Sequence, residues 1–524
     1  MAPQEHSPAS GSTGQGEGGG YASDAERKRM LPWVIATLIL SMLMSSLNQM
    51  IFVAALPTIV GELGGANHIS WVISGFLLGQ TIALPIIGKL GDQIGRKGLF
   101  LGATVVFVIG SLLGGSATSI GVLIAARIVQ GLAAGSLMTL SQAITAEVTT
   151  SRERGRYMGF MFAAFGVASV LGPVLGGWFT DGPGWRWGLY FNVPLGAISL
   201  VSTALLLKLP RRPKRLDWDV PGTIAMIVAT SSLIVTVTFG GNQYEWTDPV
   251  ILTLAGVFIV STLSFLFAEL HSSEPLIALG LFRKRNFLIT TLCGFGVGIF
   301  LFGTLAYLPT YMQMVHMLSP TNAGLMMVWM IAGMMATSIT TGQIISRTGS
   351  YKWFPVVGLT LVGVMLVLIS GVTPETPLTR LGFYMLGLGV GIGMTMQILL
   401  LIVQNAFPLS EVGVVTSVNN FFRQTGGAVG TALVGSVLSA NLAELLAERV
   451  PAALGDDADP GALPDASSLT PDIIDDLPPA LAEAVTSSYN DALMPEFLWL
   501  APLAFVCAAA LLFIRNDRLK ETID

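Results

Sequence analysis

From Leu31 onward the chain is a succession of apolar stretches of about twenty residues or more, separated by short polar breaks. About twenty apolar residues suffice for one helical crossing of a bilayer. The runs are continuous rather than alternating, which favours helices over barrel strands. Reading along the chain predicts fourteen spans, at about 32–57, 69–89, 99–117, 121–145, 157–179, 187–208, 220–240, 249–269, 287–309, 321–345, 354–372, 379–403, 412–439 and 496–514. The expected fold class is an all-α, fourteen-span membrane protein.

Composition agrees with this pattern. Of the 524 residues, 52% are hydrophobic and 11% charged, whereas a soluble domain carries about a quarter charged residues; an ordinary soluble enzyme is excluded. The net charge of −5 becomes informative once the charges are placed. With a cytoplasmic N-terminus, 22 of the 27 Lys and Arg fall in cytoplasmic segments. Arg186, Arg380 and Arg449 fall outside, and Arg127 and Arg423 lie within spans. That asymmetry supports an even number of spans with both termini cytoplasmic.

Residues 1–30, rich in Ser and Gly, read as a disordered cytoplasmic tail, and 516–524 as a second, short tail. Residues 441–495 carry many acids and read as a solvated extracellular loop, with helix expected in part around Leu442–Arg449 and Leu477–Thr486. Cys293 and Cys507 lie in apolar runs and the four histidines are scattered, so neither a disulfide framework nor a metal site is expected. Nothing in the chain suggests a nucleic-acid partner.

Three motifs carry a resemblance. Between spans two and three stands Gly88-Lys-Leu-Gly-Asp92-Gln-Ile-Gly95-Arg96-Lys97; span four holds Arg127-Ile-Val-Gln130-Gly131; span five holds Gly166 and then Gly172-Pro173-Val-Leu-Gly176-Gly177. These resemble the loop signature, the second motif and the antiporter motif of the major facilitator superfamily. Fourteen spans with an extra pair after span six resemble its EmrB/QacA-like branch of drug:proton antiporters. The resemblance covers roughly residues 30–515. It implies two six-helix halves, 31–209 and 281–515, separated by an inserted pair within 210–280. An internal repeat supports two halves: Gly342-Gln-Ile-Ile-Ser346-Arg347-Thr-Gly349 keeps both glycines of the 88–95 loop and replaces Asp92 by Ser346.

The resemblance also implies roles. Asp92 would accept hydrogen bonds at the start of span thirteen, and Arg96 would tie it to Glu147, forming with Gly88, Gly95 and Lys97 a cytoplasmic gate that must break for the inside to open. Arg127, Gln130 and Glu147 are the proton-coupling candidates, because a charge inside the membrane is costly and usually functional. Gly166, Gly172, Pro173, Gly176 and Gly177 make span five closely packed and bendable, as a hinge needs. For a mostly apolar substrate cavity with a few polar groups, the candidates are Asn48, Gln49, Phe52, Tyr307, Trp329, Gln397, Asn419, Asn420 and Arg423.

Span one departs from the branch. Its members usually carry an Asp in Leu-Asp-x-Thr-Ile-Val, and tetracycline-exporter-like relatives a Glu one position later; here those positions are Asn48 and Gln49. Amides bind substrate or water but do not exchange protons near neutral pH. No acid falls near the middle of a span, and Glu147, Glu269, Glu411 and Glu496 lie near span ends.

The expected function is export of lipophilic or amphipathic small molecules by alternating access. The protein would be a monomer in the plasma membrane among its lipids, powered by the proton gradient without a cofactor, and an accessory envelope protein could receive the cargo. The alternatives are an exporter of a lipid or cell-envelope metabolite, and an uncoupled or non-transporting scaffold. A membrane enzyme would need a convergent nucleophile, acid/base or metal cluster, and no such cluster is evident in the sequence.

Overall fold

The structure, a computed structural model, describes residues 24–63, 69–209, 218–241, 243–454, 473–474, 477–515 and 519. Most of the two tails and the centre of the expected acidic loop lie outside the described residues. Among the described residues fourteen helices are long and apolar enough to cross a membrane. They are α1 Asp24–Leu63, α2 Ile69–Ile94, α3 Arg96–Gly115, α4 Ile120–Val148, α5 Ser151–Asp181, α6 Arg186–Leu206 (interrupted at Phe191), α7 Val220–Phe239, α8 Pro249–His271, α9 Arg285–Met314, α10 Pro320–Thr348, α11 Trp353–Ser370, α12 Leu378–Asn405, α13 Val412–Leu454 and α14 Pro479–Leu512.

Helix termini follow local chemistry. Thr150 and Glu153 form a reciprocal capping box at the start of α5, Asp219 caps α7, and Asp248 caps α8 with Pro249 in its first turn. Exposed tryptophans stand at several helix ends, as interfacial anchors do: Trp178 and Trp187 on either side of the α5–α6 junction, and Trp353 at the start of α11.

Helices α1–α6 pack among themselves, as do α9–α14, while α7 and α8 pair with each other and lean through α7 on α2 and α13. Glycines explain how the halves are built. A β-carbon at Gly131 or Gly135 of α4 would strike the carbonyl oxygens of Phe76 or Gln80 of α2. One at Gly389 or Gly393 of α12 would strike those of Met330 or Met334 of α10. The α2 and α10 members of these pairs are 254 residues apart, and the α4 and α12 members 258 apart. Gly79 against Ile128 and Gly333 against Leu386 repeat the same offsets. The two halves therefore share one crossing geometry, in which glycine lets backbones touch.

Residues 441–495 are helical at both ends, around the two stretches expected to be so: α13 runs to Leu454 and α14 begins at Pro479, both well beyond the spans drawn from hydropathy. Hydropathy falls there because the helices leave the bilayer, yet Ala, Leu and Glu sustain helix. Leu442, Ile474, Leu481 and Val485 bury against one another, and Arg449 bridges Asp491 at 2.7 Å.

Candidate functional site

One end of the contact between the halves is held by a cluster built on one turn. Gly95 adopts φ 97°, a left-handed conformation available to glycine at little cost, and this turns the chain from α2 into α3. The turn delivers Arg96 into a buried position beside Asp92, where its Nη2 donates to Asp92 Oδ1 at 2.7 Å and its Nη1 to Glu147 Oε2 at 2.6 Å. Asp92 in turn accepts from the backbone N–H groups of Gly413 (3.0 Å, Oδ1) and Val414 (2.9 Å, Oδ2), which are free at the start of α13. Arg96 Nη2 also donates to the Leu409 carbonyl at 3.0 Å.

Gly88 lies so close to α13 that a β-carbon would strike Ser417. Asn420 of α13 donates to Gln142 of α4 at 2.6 Å. Lys97 is not in the cluster; its Nζ donates to the Ala204 carbonyl of α6 at 2.9 Å. Lys89 instead joins the latch to the inserted pair through Glu274, at 2.7 Å.

The second crossing between the halves joins α5 to α10. Gly155 faces Gly342, Gly159 faces Ser338, and Gly166 faces Met335 and Ile331. Gly172 packs on Met50 of α1, Pro173 is exposed within an unbroken α5, Gly176 is buried, and Gly177 faces open space. At the position of Asp92, this second crossing has Ser346 and no carboxylate.

Within the N-half, Asn48 and Arg127 belong to a buried network. Arg127 lies between the rings of Phe52 and Phe76, 4.3 Å from each centroid, and its Nη1 donates to Gln130 Oε1 at 3.2 Å. Gln130 Nε2 donates to Ser111 (2.9 Å) and Asn48 Oδ1 (3.4 Å), and Asn192 donates to the same Asn48 oxygen at 2.9 Å. Two aromatic faces and an amide thus hold a cation where a carboxylate would be the usual counter-ion. Gln130→Leu leaves a buried charged donor without its acceptor. The expected cost is about 2 kcal/mol, read as a lower unfolding temperature in detergent; an unchanged value would mean the network carries no stability.

Between the halves lies a cavity of about 50 Å³, room for one or two waters. Gln49 and Arg423 line it, together with Ser45, Ser46, Gln80, Gln424 and a wall of Phe and Met side chains. The methionines are Met42, Met138 and Met396. The other cavity candidates are placed elsewhere. Phe52 and Asn48 serve the Arg127 network, and Tyr307 donates to the Thr431 carbonyl at 3.0 Å. Trp329 meets Phe383 edge-on, and Phe383 is exposed on the outside of the bundle. Gln397 bonds Ser338 and Thr341 at the α10–α12 contact, and Asn419 is buried beside Gly294.

One residue that sequence reasoning set aside is Glu496. The span drawn there began at Glu496, but α14 begins seventeen residues earlier. Its side chain is buried, and neither carboxylate oxygen has a hydrogen-bond partner. It lies one turn from the exposed Trp499, near the middle of α14. Glu269, by contrast, is occupied in accepting the Leu276 and Ile277 N–H groups, each at 3.1 Å.

The family model of the Major Facilitator Superfamily matches residues 38–431. An uncharacterized MFS-type transporter of Mycobacterium tuberculosis is 34% identical over 491 residues, 94% of this chain and 70% of the relative. The multidrug transporter protein MdtP of Bacillus subtilis is 32% identical over 425 residues, 81% of this chain and 78% of the relative. The solved structure of the human organic anion transporter MFSD10 aligns over 91% of this chain and 99% of its own with a TM-score of 0.60; at 16% identity that is a likeness of fold alone. Two halves crossing at glycines, a latch between them and a match over most of the length lead to one assignment: the chain belongs to the Major Facilitator Superfamily.

Proposed function

We propose that the protein is a secondary active transporter, not an enzyme, that exports lipophilic or amphipathic small molecules by alternating access. The observation that carries this reading is the cavity between two halves, walled by Phe and Met with a few polar groups and sealed toward the cytoplasm by the Asp92–Arg96–Glu147 cluster. A cavity with room for only a water or two admits cargo only when the halves part, and the latch is what must break. The placement of the basic residues supports a plasma-membrane protein with both termini cytoplasmic.

Coupling to the proton gradient needs a group that gains and loses a proton during the cycle. Glu147 is committed to Arg96, and Asn48 and Gln49 do not titrate. Glu496 fits best, because it is buried within α14 with neither oxygen partnered. Tyr307 of α9 and Tyr489 of its own helix lie within electrostatic reach of it. Helix α11 carries no titratable side chain, and α13 carries none between Arg423 and Glu444.

The test is purified full-length protein in liposomes with a panel of fluorescent lipophilic probes, with and without a pH gradient. Wild type is expected to accumulate probes and to respond to the gradient. Glu496→Gln is expected to lose that response several-fold while keeping gradient-free exchange. Absence of transport across the panel would defeat the exporter reading; an unaltered gradient response in the variant would remove Glu496 from coupling.

A further inference from the structure

The central cavity holds a charge that no acid among the described residues answers. Arg423 of α13 is 3% exposed, lines the cavity, and has its Nε and Nη1 without hydrogen-bond partners. Its nearest aromatic contact, Phe162, lies 5.7 Å from the guanidinium carbon, a weak substitute for a counter-ion. No acidic residue lines the cavity. The helices that form its wall carry their acids only toward their ends: Asp24, Glu26 and Glu62 on α1, Asp92 on α2, Glu147 on α4, Glu153 and Asp181 on α5, and Glu444 and Glu448 on α13. Two of these, Asp92 and Glu147, are already bound by Arg96.

An arginine does not deprotonate under ordinary conditions, so the cavity is cationic throughout the cycle. A buried, unpaired guanidinium is costly unless a bound partner supplies the missing charge and acceptors. Its planar N–H fork matches carboxylate, sulfonate and phosphate oxygens. Beside it, Gln424 and, across the cavity, Gln49 and Gln80 offer amide donors, and the Phe and Met wall suits an apolar body.

We infer that the cargo is an amphipathic organic anion whose acidic head binds Arg423 while its apolar body lies against the Phe and Met wall. The inference rests on the exporter reading above and names its substrate class. A lipophilic cation, by the same reasoning, meets an uncompensated like charge and is disfavoured.

The test uses the full-length protein in liposomes and three probes sharing one naphthyl body, with a sulfonate, a sulfonamide or a trimethylammonium head. Binding and uptake by wild type are expected to rank sulfonate first and ammonium last. Arg423→Gln should lower sulfonate uptake about tenfold to hundredfold and leave the sulfonamide unchanged, and Arg423→Lys should recover part of the loss. Because Arg423→Gln could fold poorly, the wild-type ranking is an independent arm. Wild type that prefers the ammonium probe, or a well-folded Arg423→Gln with the wild-type ranking, overturns the anion assignment while the exporter reading stands. Wild type that moves none of the three probes, nor any of the wider panel, overturns both.

Discussion

Asp92→Asn should abolish export while the protein still inserts and folds, because in the proposed cycle the carboxylate is the latch that ties the halves together in two directions at once. One oxygen takes both Arg96 and the Gly413 N–H, and the other takes the Val414 N–H. Asparagine keeps one acceptor, but its amide then points a donor at a donor, and the negative charge is gone. Hydrogen bonds to charged groups are worth about 1.5–3 kcal/mol each, so a loss of about 3 kcal/mol from the closed arrangement is expected. That changes the closed-to-open ratio by roughly two orders of magnitude. Arg96 retains Glu147, which keeps the N-half intact and separates a gating defect from a folding one. Spin labels at Gly98→Cys and Arg347→Cys report the separation of the halves at the cytoplasmic surface; Gly98 has open space around it. The variant should show a longer distance component, and a distribution identical to wild type together with normal export would remove the latch from the mechanism.

The fourteen spans were legible because each is a continuous apolar run, and that signal needs no tertiary context. The outer limits of α13 and α14 were not, because hydropathy records where the bilayer ends and not where the helix does. The Asp92–Arg96–Glu147 contact could be anticipated because two of its members share one loop and the third lies at the end of the neighbouring span. The cavity wall resisted such reading for a geometric reason. Successive residues of a helix point about 100° apart, so Asn48 and Gln49, adjacent in sequence, face different surroundings: one completes the Arg127 network, the other lines the cavity. Phe52 and Phe76 sandwich Arg127 from two different helices, and no local pattern announces such a pair. The glycine repeat was visible only in part. Gly88 and Gly95 recur as Gly342 and Gly349 within a shared motif, whereas the Gly131 and Gly389 contacts emerge only once the helices are crossed.

Those crossings carry the second large effect. Gly389→Val places branched carbon against the Met330 carbonyl, and Gly131→Val does the same against Phe76. Neither obstacle can rotate aside, since each is backbone within a helix. Overpacking that side chains can absorb costs about 1–3 kcal/mol; with backbone on the other side, about 3 kcal/mol or more is expected for each variant. Thermal unfolding in detergent, followed by tryptophan fluorescence, should show both unfolding well below wild type and by comparable amounts, because the two halves use the same contact. Gly98→Ala, at a site with nothing within 4 Å, is the control and should unfold with wild type. If Gly389→Val matched the control while Gly131→Val collapsed, the halves would not share one crossing geometry. Equal losses would show that each half stands on its own pair of glycine crossings. Motion during transport would then be confined to the surfaces between the halves, where Asp92 and Gly88 meet α13 and Gly155 meets Gly342.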